Sequence, residues 1–150
     1  DLRRSFVISV DTNLLVYAHL ESAREHESAK QALQSAARHP GGWAITHFAV
    51  AELWSVLTHP AHRPVVDSAN VVAYLKALGR AGARILQPGP GFTMRLMDHA
   101  NRQRIRGRRI YDLQIALVSL ESGATEIWSH DLDFHSLPEL PVRDPLQAVR

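Results

Sequence analysis

The stretch SVDTNLLVYAHL (residues 9–20) decides how the chain is read. An apolar run, Phe6 to Val10, stops at Asp11; Thr12 and Asn13 follow, and a second apolar stretch begins. A run this short, rich in Val and Ile, reads as a buried strand ending at Asp11. NLLVYAHL then has helical character. A carboxylate at such a junction has two uses. As a helix cap it accepts hydrogen bonds from free backbone N–H groups. At the end of a strand it stands where open α/β sheets bind their ligands.

Outward from this junction, helices and strands alternate. SAREHESAKQALQSAAR reads as a polar-faced helix with Ser22 as its cap and Glu25 completing a capping box. WAIT (43–46) is a second apolar run, and Thr46 caps the helix HFAVAELWSVLTH that stops before Pro60. Asp67 caps SANVVAYLKALGR. ARILQPGPG supplies a third strand and a turn. FTMRLMDHANRQRI (92–105) is helical until Gly107 interrupts. YDLQIALVSLES is a strongly apolar helix opened by Asp112, and TEIWS is a fourth strand. VRDP (142–145) reads as an edge strand, since Pro145 cannot donate to a central ladder. The alternation predicts an α/β fold with a mainly parallel sheet of four to five strands, covered on both faces. Residues 1–150 read as a single domain.

Composition narrows the chemistry. The chain has no cysteine, so disulfides, zinc–thiolate sites and thiol nucleophiles are excluded. No apolar run approaches the roughly 20 residues of a membrane span, and a cytoplasmic, non-membrane protein is expected. The net charge is only +2, so charge as a whole does not argue for nucleic acid. The basic residues instead concentrate in RQRIRGRR, Arg102 to Arg109. No GxxxxGK[ST] loop and no H-E-x-x-H are present.

The acids fall in a pattern. Asp11 ends the first strand, and Asp131 lies just past the fourth with Asp133 close behind. Glu52 lies about two turns into the helix after the second strand, and Asp112 opens the helix before the fourth. All can face one edge of the sheet. Glu52 sits among Val50, Ala51, Leu53 and Trp54, where a charge needs a partner. Each acid has a plainer use as a cap, turn former or solvated residue. Together they repel: one pair at 4 Å costs up to about 4 kcal/mol at an effective dielectric near 20. Such a cluster calls for a cation, and all-oxygen ligands favour Mg²⁺ or Mn²⁺.

VDTNLLVYA, AELWSVL, YDLQIAL and SHDLDF, in this order and spacing, resemble the acidic motifs of PIN domains. More narrowly, the chain resembles the VapC-type endoribonuclease toxins of type II toxin–antitoxin systems, from about Val7 to Leu146. The resemblance implies a PIN-like three-layer α/β/α sandwich and Mg²⁺-dependent cleavage of RNA, with Mn²⁺ as a substitute. It matches Asp11, Glu52, Asp112 and Asp131 to the metal-binding catalytic acids, and Asn13 and Ser129 to their polar supports. The fourth motif is the loosest, and Asp133 is the rival to Asp131. Also implied are arrest of translation through tRNA or ribosomal RNA, a homodimer, and a cognate antitoxin. The antitoxin is expected to lay an amphipathic helix between Leu14–Leu20 and the helix around Trp54.

Three rivals remain at this level. A zinc hydrolase draws on the nine histidines, of which His130 and His135 flank Asp131 and Asp133. An aspartyl-phosphate enzyme wants a second Asp where Asn13 stands. A catalytically inactive PIN-fold module would bind RNA or protein only. Arg104, Arg106, Arg108 and Arg109 are expected to contact RNA phosphates on the approach to Asp112. Trp43, Trp54 and Trp128 are expected in the core rather than as base-stacking platforms.

Overall fold

The computed structural model describes residues 7–137 and 140–146. Arg4, Ser5 and Phe6, the first residues of RSFVISVD, the expected opening strand, lie outside them. Among the described residues five strands form one sheet: β1 (Val7–Val10), β2 (Trp43–Thr46), β3 (Ala83–Leu86), β4 (Ala124–Trp128) and β5 (Val142–Arg143). Their order is β3-β2-β1-β4-β5 and every pairing is parallel. The chain builds outward from β1 to β3 on one side, then returns to place β4 and β5 on the other. The carboxyl ends of β1 and β4 therefore flank a point where strand order reverses, the place where such sheets open a crevice.

Among the described residues seven helices cover the sheet: α1 (Thr12–His19), α2 (His26–Ala37), α3 (His47–Thr58), α4 (Ser68–Arg80), α5 (Phe92–Arg102), α6 (Arg109–Glu121) and α7 (Leu132–His135). β1 and β2 are buried at every position, as parallel strands enclosed by two layers must be. Adjacent β4 residues separate the layers. Trp128 shares a buried cluster with Leu14, Leu53 and Leu78 from α1, α3 and α4 and with Trp43 of β2, while Ile127 shares one with Ile115, Ala116 and Phe134 from α6 and α7. This is the expected α/β/α sandwich. Among the described residues no helix is long and apolar enough to cross a membrane.

A buried polar tie sets the position of α6. Ser9 Oγ on β1 lies 2.7 Å from Ser119 Oγ, which donates to Ile115 O. Ser119 is two turns beyond Asp112, so the tie fixes the face that Asp112 presents.

Several local expectations fail for identifiable reasons. Ser22 does not cap α2. Residues 20–26 are spent on turns closed by Ala23 N–H to Leu20 O and His26 N–H to Ala23 O, and the helical bonds begin at Ala29 N–H to Glu25 O. α5 ends at Arg102 rather than running to Ile105. Arg104 adopts φ 54°, and Ile105 and Arg104 donate to Ala100 O and Asn101 O, the Schellman closure normally built on glycine. α6 begins at Arg109, so Asp112 lies in its first turn rather than opening it. Trp54 is 46% exposed, whereas Trp43 and Trp128 are buried. The inward stripe of α3 is Ala49, Leu53 and Leu57, and Trp54 stands one residue round from it. Of the α1 residues expected to border a groove, Leu14, Leu15 and Val16 lie in the core, whereas Tyr17 to Leu20 are half-buried.

Candidate active site

The question raised by Asp11 has a double answer. It is the N-cap of α1, and Thr12 N–H donates to its Oδ1 at 2.7 Å. It is also a buried carboxylate, only 5% exposed, within reach of the charges of Glu52 and Asp112. Ser129, just past β4, donates its hydroxyl to Asp11 Oδ2 at 2.7 Å and accepts from Asp131 N–H at 3.0 Å. One serine thus joins the ends of β1 and β4 to the start of α7. Asn13 Oδ1 makes a longer contact with His130 N–H, 3.4 Å. Both polar supports named from the sequence hold this junction.

A cleft of about 400 Å³ is lined by Phe48, Glu52, Arg108, Arg109, Tyr111, Asp112, Gln114, Asp131 and Asp133; Asp11 is not part of its lining, but the charges of Glu52 and Asp112 reach it. Glu52, Asp112, Asp131 and the rival Asp133 therefore share one opening. Glu52 is exposed, not enclosed among its apolar sequence neighbours; its Oε2 accepts from Thr12 Oγ1 at 3.1 Å. Asp131 caps α7, accepting from Asp133 N–H at 2.9 Å. Of the four arginines, Arg108 and Arg109 line the cleft, while Arg104 and Arg106 are exposed on the segment leading to it. Arg109 Nη2 donates to Ser136 O and Oγ, both at 3.1 Å, tying α6 to the end of α7.

The charges are frustrated as they stand. Burial pushes Asp11 up to about 7 against the hydrogen bonds from Ser129 and Thr12, with the charges of Glu52 and Asp112 adding to the rise. Burial raises Asp112 to about 6, helped by Asp131, Glu52 and Asp133 and opposed by Arg109. Among the described residues, none of these carboxylates forms an ion pair.

A hard divalent cation fits this set by chemistry: all donors are oxygens, and positive charge would relieve both raised acids. The side chains are not yet gathered on one point. Among the described residues no three His, Asp or Glu groups stand close enough to hold one ion. Glu52 is drawn to Thr12 and Asp131 to its own helix. Each of those hydrogen bonds contributes about 1 kcal/mol net, less than the attraction a divalent ion offers a carboxylate at contact.

The titration has a measurable consequence. An acid whose pKa is higher folded than unfolded stabilises fully below its unfolded value and loses that contribution as pH rises through the folded value. For Asp11 the window runs from 3.8 to about 7. In EDTA, the melting temperature of the wild-type chain should fall relative to Asp11→Asn across that window, and Mg²⁺ at pH 7.5 should recover the difference. Parallel melting curves for the two proteins would contradict the burial of an ionisable Asp11.

Sequence reasoning passed over Phe48, Tyr111 and Gln114 in the wall of this cleft. Phe48 precedes Glu52 by one turn on α3, spacing that could have flagged it. His130 Nδ1 lies 2.8 Å from Asp144 Oδ2, and Asp144 Oδ1 accepts from Leu146 N–H. This fastens the loop before Asp131 to the end of β5. His135 Nε2 lies 2.8 Å from Ser129 O. Both histidines that suggested zinc thus spend a ring nitrogen on the loop.

Comparison with known proteins adds an independent line. The family model described as PIN domain matches residues 8–140. Ribonuclease VapC48 of Mycobacterium tuberculosis is 25% identical over 140 residues, covering 92% of this chain and 97% of that protein. Among solved structures, the Mycobacterium tuberculosis toxin VapC20, described as cleaving the sarcin–ricin loop, superposes with a TM-score of 0.70. It is 19% identical, and 91% of this chain and 98% of that one are covered. VapBC2 from Rickettsia felis, bound to a DNA fragment from its promoter, gives a TM-score of 0.68 at 18% identity, covering 93% and 98%. At these identities the solved structures share the fold.

Proposed function

The chain belongs to the PIN domain family, and from that premise we propose that it is a metal-dependent endoribonuclease of the VapC type, the toxin of a toxin–antitoxin pair. The observation that carries the reading is the convergence of Glu52, Asp112 and Asp131 on one cleft, with Asp11 and Asp112 both raised by burial and by the charges of neighbouring acids. In this reading Asp11, Glu52, Asp112 and Asp131 hold Mg²⁺, with Mn²⁺ as a substitute. Bound there, the ion supplies Lewis acidity at the phosphoryl oxygen and a more acidic water.

The remaining work belongs to the chain. Ser129 and Thr12 hold Asp11 in place through their hydrogen bonds. Asn13 keeps α1 against the loop that carries Asp131. Arg108 and Arg109 stand on the same cleft and meet the phosphates flanking the scissile bond. Hydrolysis adds water across one P–O bond of the RNA backbone. The target is tRNA or ribosomal RNA, cleavage of which arrests translation in the cytoplasm. A cognate antitoxin silences the toxin by extending an Arg or Lys toward Asp11 and Asp112, and the toxin acts as a homodimer.

Mapping the 5′ ends of cellular RNA after brief induction, together with cleavage in vitro in Mg²⁺ and in EDTA, tests this reading. New ends at defined positions, suppressed by EDTA, are expected. RNA binding without any cleavage would instead identify an inactive PIN-fold binding module.

The arginines have a graded expectation. Arg108→Gln should weaken RNA binding across sequences, and the Arg104→Gln, Arg106→Gln pair should do so through the approach segment. Each lost phosphate contact lowers the slope of log K against log salt by about 0.7 for a single strand. An unchanged slope in both variants would make the run ordinary solvated surface.

A further inference from the structure

The carboxylate cleft continues sideways into a second hollow of about 410 Å³. Phe48 and Gln114 line both, and Pro88, Phe92, Met94 and Leu96 complete the second. Apart from Gln114 and Thr93, its side chains are apolar. The Phe48 and Phe92 rings stack with centroids 5.8 Å apart and 29° between planes. Met94 stands at the rim, 64% exposed. Gln114 lies two residues after Asp112 and is half-buried, and among the described residues its amide makes no hydrogen bond.

The hollow is held in shape before anything enters it. Arg95 Nη1 donates to Pro90 O at 2.7 Å, while Nε and Nη2 form a fork onto Glu121 at 2.7 and 2.9 Å. This clamp joins the 88–91 loop to α6. Gly91, at φ 78°, lets the arginine pass, since a Cβ there would meet Arg95 Nη1 at 2.7 Å. A preformed apolar hollow with one free amide at its mouth is the usual form of a small-ligand site.

We propose that this hollow is a nucleobase subsite, which receives the base of a nucleotide next to the phosphate in the carboxylate cleft. The inference rests on the RNA-cleaving reading of that cleft and adds the feature that selects where RNA is cut. An unpaired base has two apolar faces and a polar edge, and RNA readers stack the faces and hydrogen-bond the edge. Phe48, Phe92 and Met94 supply the apolar wall. The Gln114 amide offers a donor beside an acceptor, the complement of the adenine N6/N7 edge. Continuity with the cleft argues for a base over an apolar protein side chain, because Gln114 and Phe48 belong to both spaces.

The test uses the Asp11→Asn chain, in which RNA binds without being cut, and three single-stranded probes: nine-residue oligoadenylate, nine-residue oligouridylate, and a nine-residue abasic ribose-phosphate chain. Homopolymers remove ambiguity of register. Oligoadenylate should bind at least about tenfold tighter than the abasic chain, the scale of one base stacked on an apolar wall. Adding Met94→Asp should bring that ratio close to one, while its effect on the abasic chain isolates plain charge repulsion. Adding Gln114→Leu should erase the preference for oligoadenylate over oligouridylate and leave most of the stacking. Equal losses for all three probes with Met94→Asp, or an unchanged ratio, would overturn the subsite. If wild-type protein cleaves no RNA in Mg²⁺ while the base-dependent binding persists, the cleavage reading fails and the base-binding hollow stands. If no probe binds, both fail.

Discussion

Asp11→Asn should abolish RNA cleavage while leaving the chain folded. The side chain is nearly isosteric, and the cap is retained because asparagine caps a helix as well as aspartate does. The Ser129 hydroxyl, free to rotate, can accept from the new amide. What disappears is one buried negative charge within reach of Glu52 and Asp112. If charge stabilisation at the metal site is worth about 4 kcal/mol in the transition state, the loss is on the order of 10³-fold in rate. In EDTA at neutral pH the same variant should be more stable than wild type, because burial of that carboxylate raises it to about 7. Two opposite signs, activity lost and stability gained, separate a functional acid from a structural one. Full activity in Asp11→Asn, or a drop in stability matching the drop in activity, would sink the assignment.

That pairing of signs follows from where the sheet puts the residue. β1 could be read from sequence because a strand enclosed on both faces must be continuously apolar. The first polar residue after such a run then marks the carboxyl edge. The same logic located β2, and hence Thr46; β4 carries Thr125 and Glu126 among its apolar residues, and Ser129 rests on the resemblance to PIN domains. Asp11, Glu52, Asp112 and Asp131 could be placed near one another by strand ends and helix offsets alone. Their detailed surroundings could not. The exposure of Glu52 depends on the rotational phase of α3, which is set by Ala49, Leu53 and Leu57 meeting the core. A list of sequence neighbours does not contain that phase. Arg104 taking a left-handed conformation is equally hidden, since nothing in its side chain favours the Schellman position over a further helical turn. The wall formed by Phe48, Tyr111 and Gln114 needs α3 and α6 to be brought side by side. The His130–Asp144 contact spans 14 residues and a strand. Local patterns reach strand ends and caps; they do not reach side chains whose role is defined by a partner elsewhere in the chain.

The fourth acid is where sequence and structure together make a discriminating case. Asp131 and Asp133 both line the cleft. Among the neighbouring charges that raise Asp112, Asp131 is the largest contributor and Asp133 the smallest. Asp131 is also fixed from behind, its N–H held by the hydroxyl of Ser129 that touches Asp11. Asp133 is exposed, and its backbone N–H rather than its carboxylate is engaged at the start of α7. Asp131→Asn should therefore cost on the order of 100-fold in cleavage, and Asp133→Asn no more than several-fold. The amide keeps the α7 cap at position 131, so melting temperatures should differ little between the two variants. Raising Mg²⁺ should recover more activity in Asp133→Asn than in Asp131→Asn, because a more distant charge adds attraction for the ion without occupying a ligand position. The reverse order, with Asp133→Asn the more damaging, would make Asp133 the fourth ligand and leave Asp131 as the cap of α7 alone.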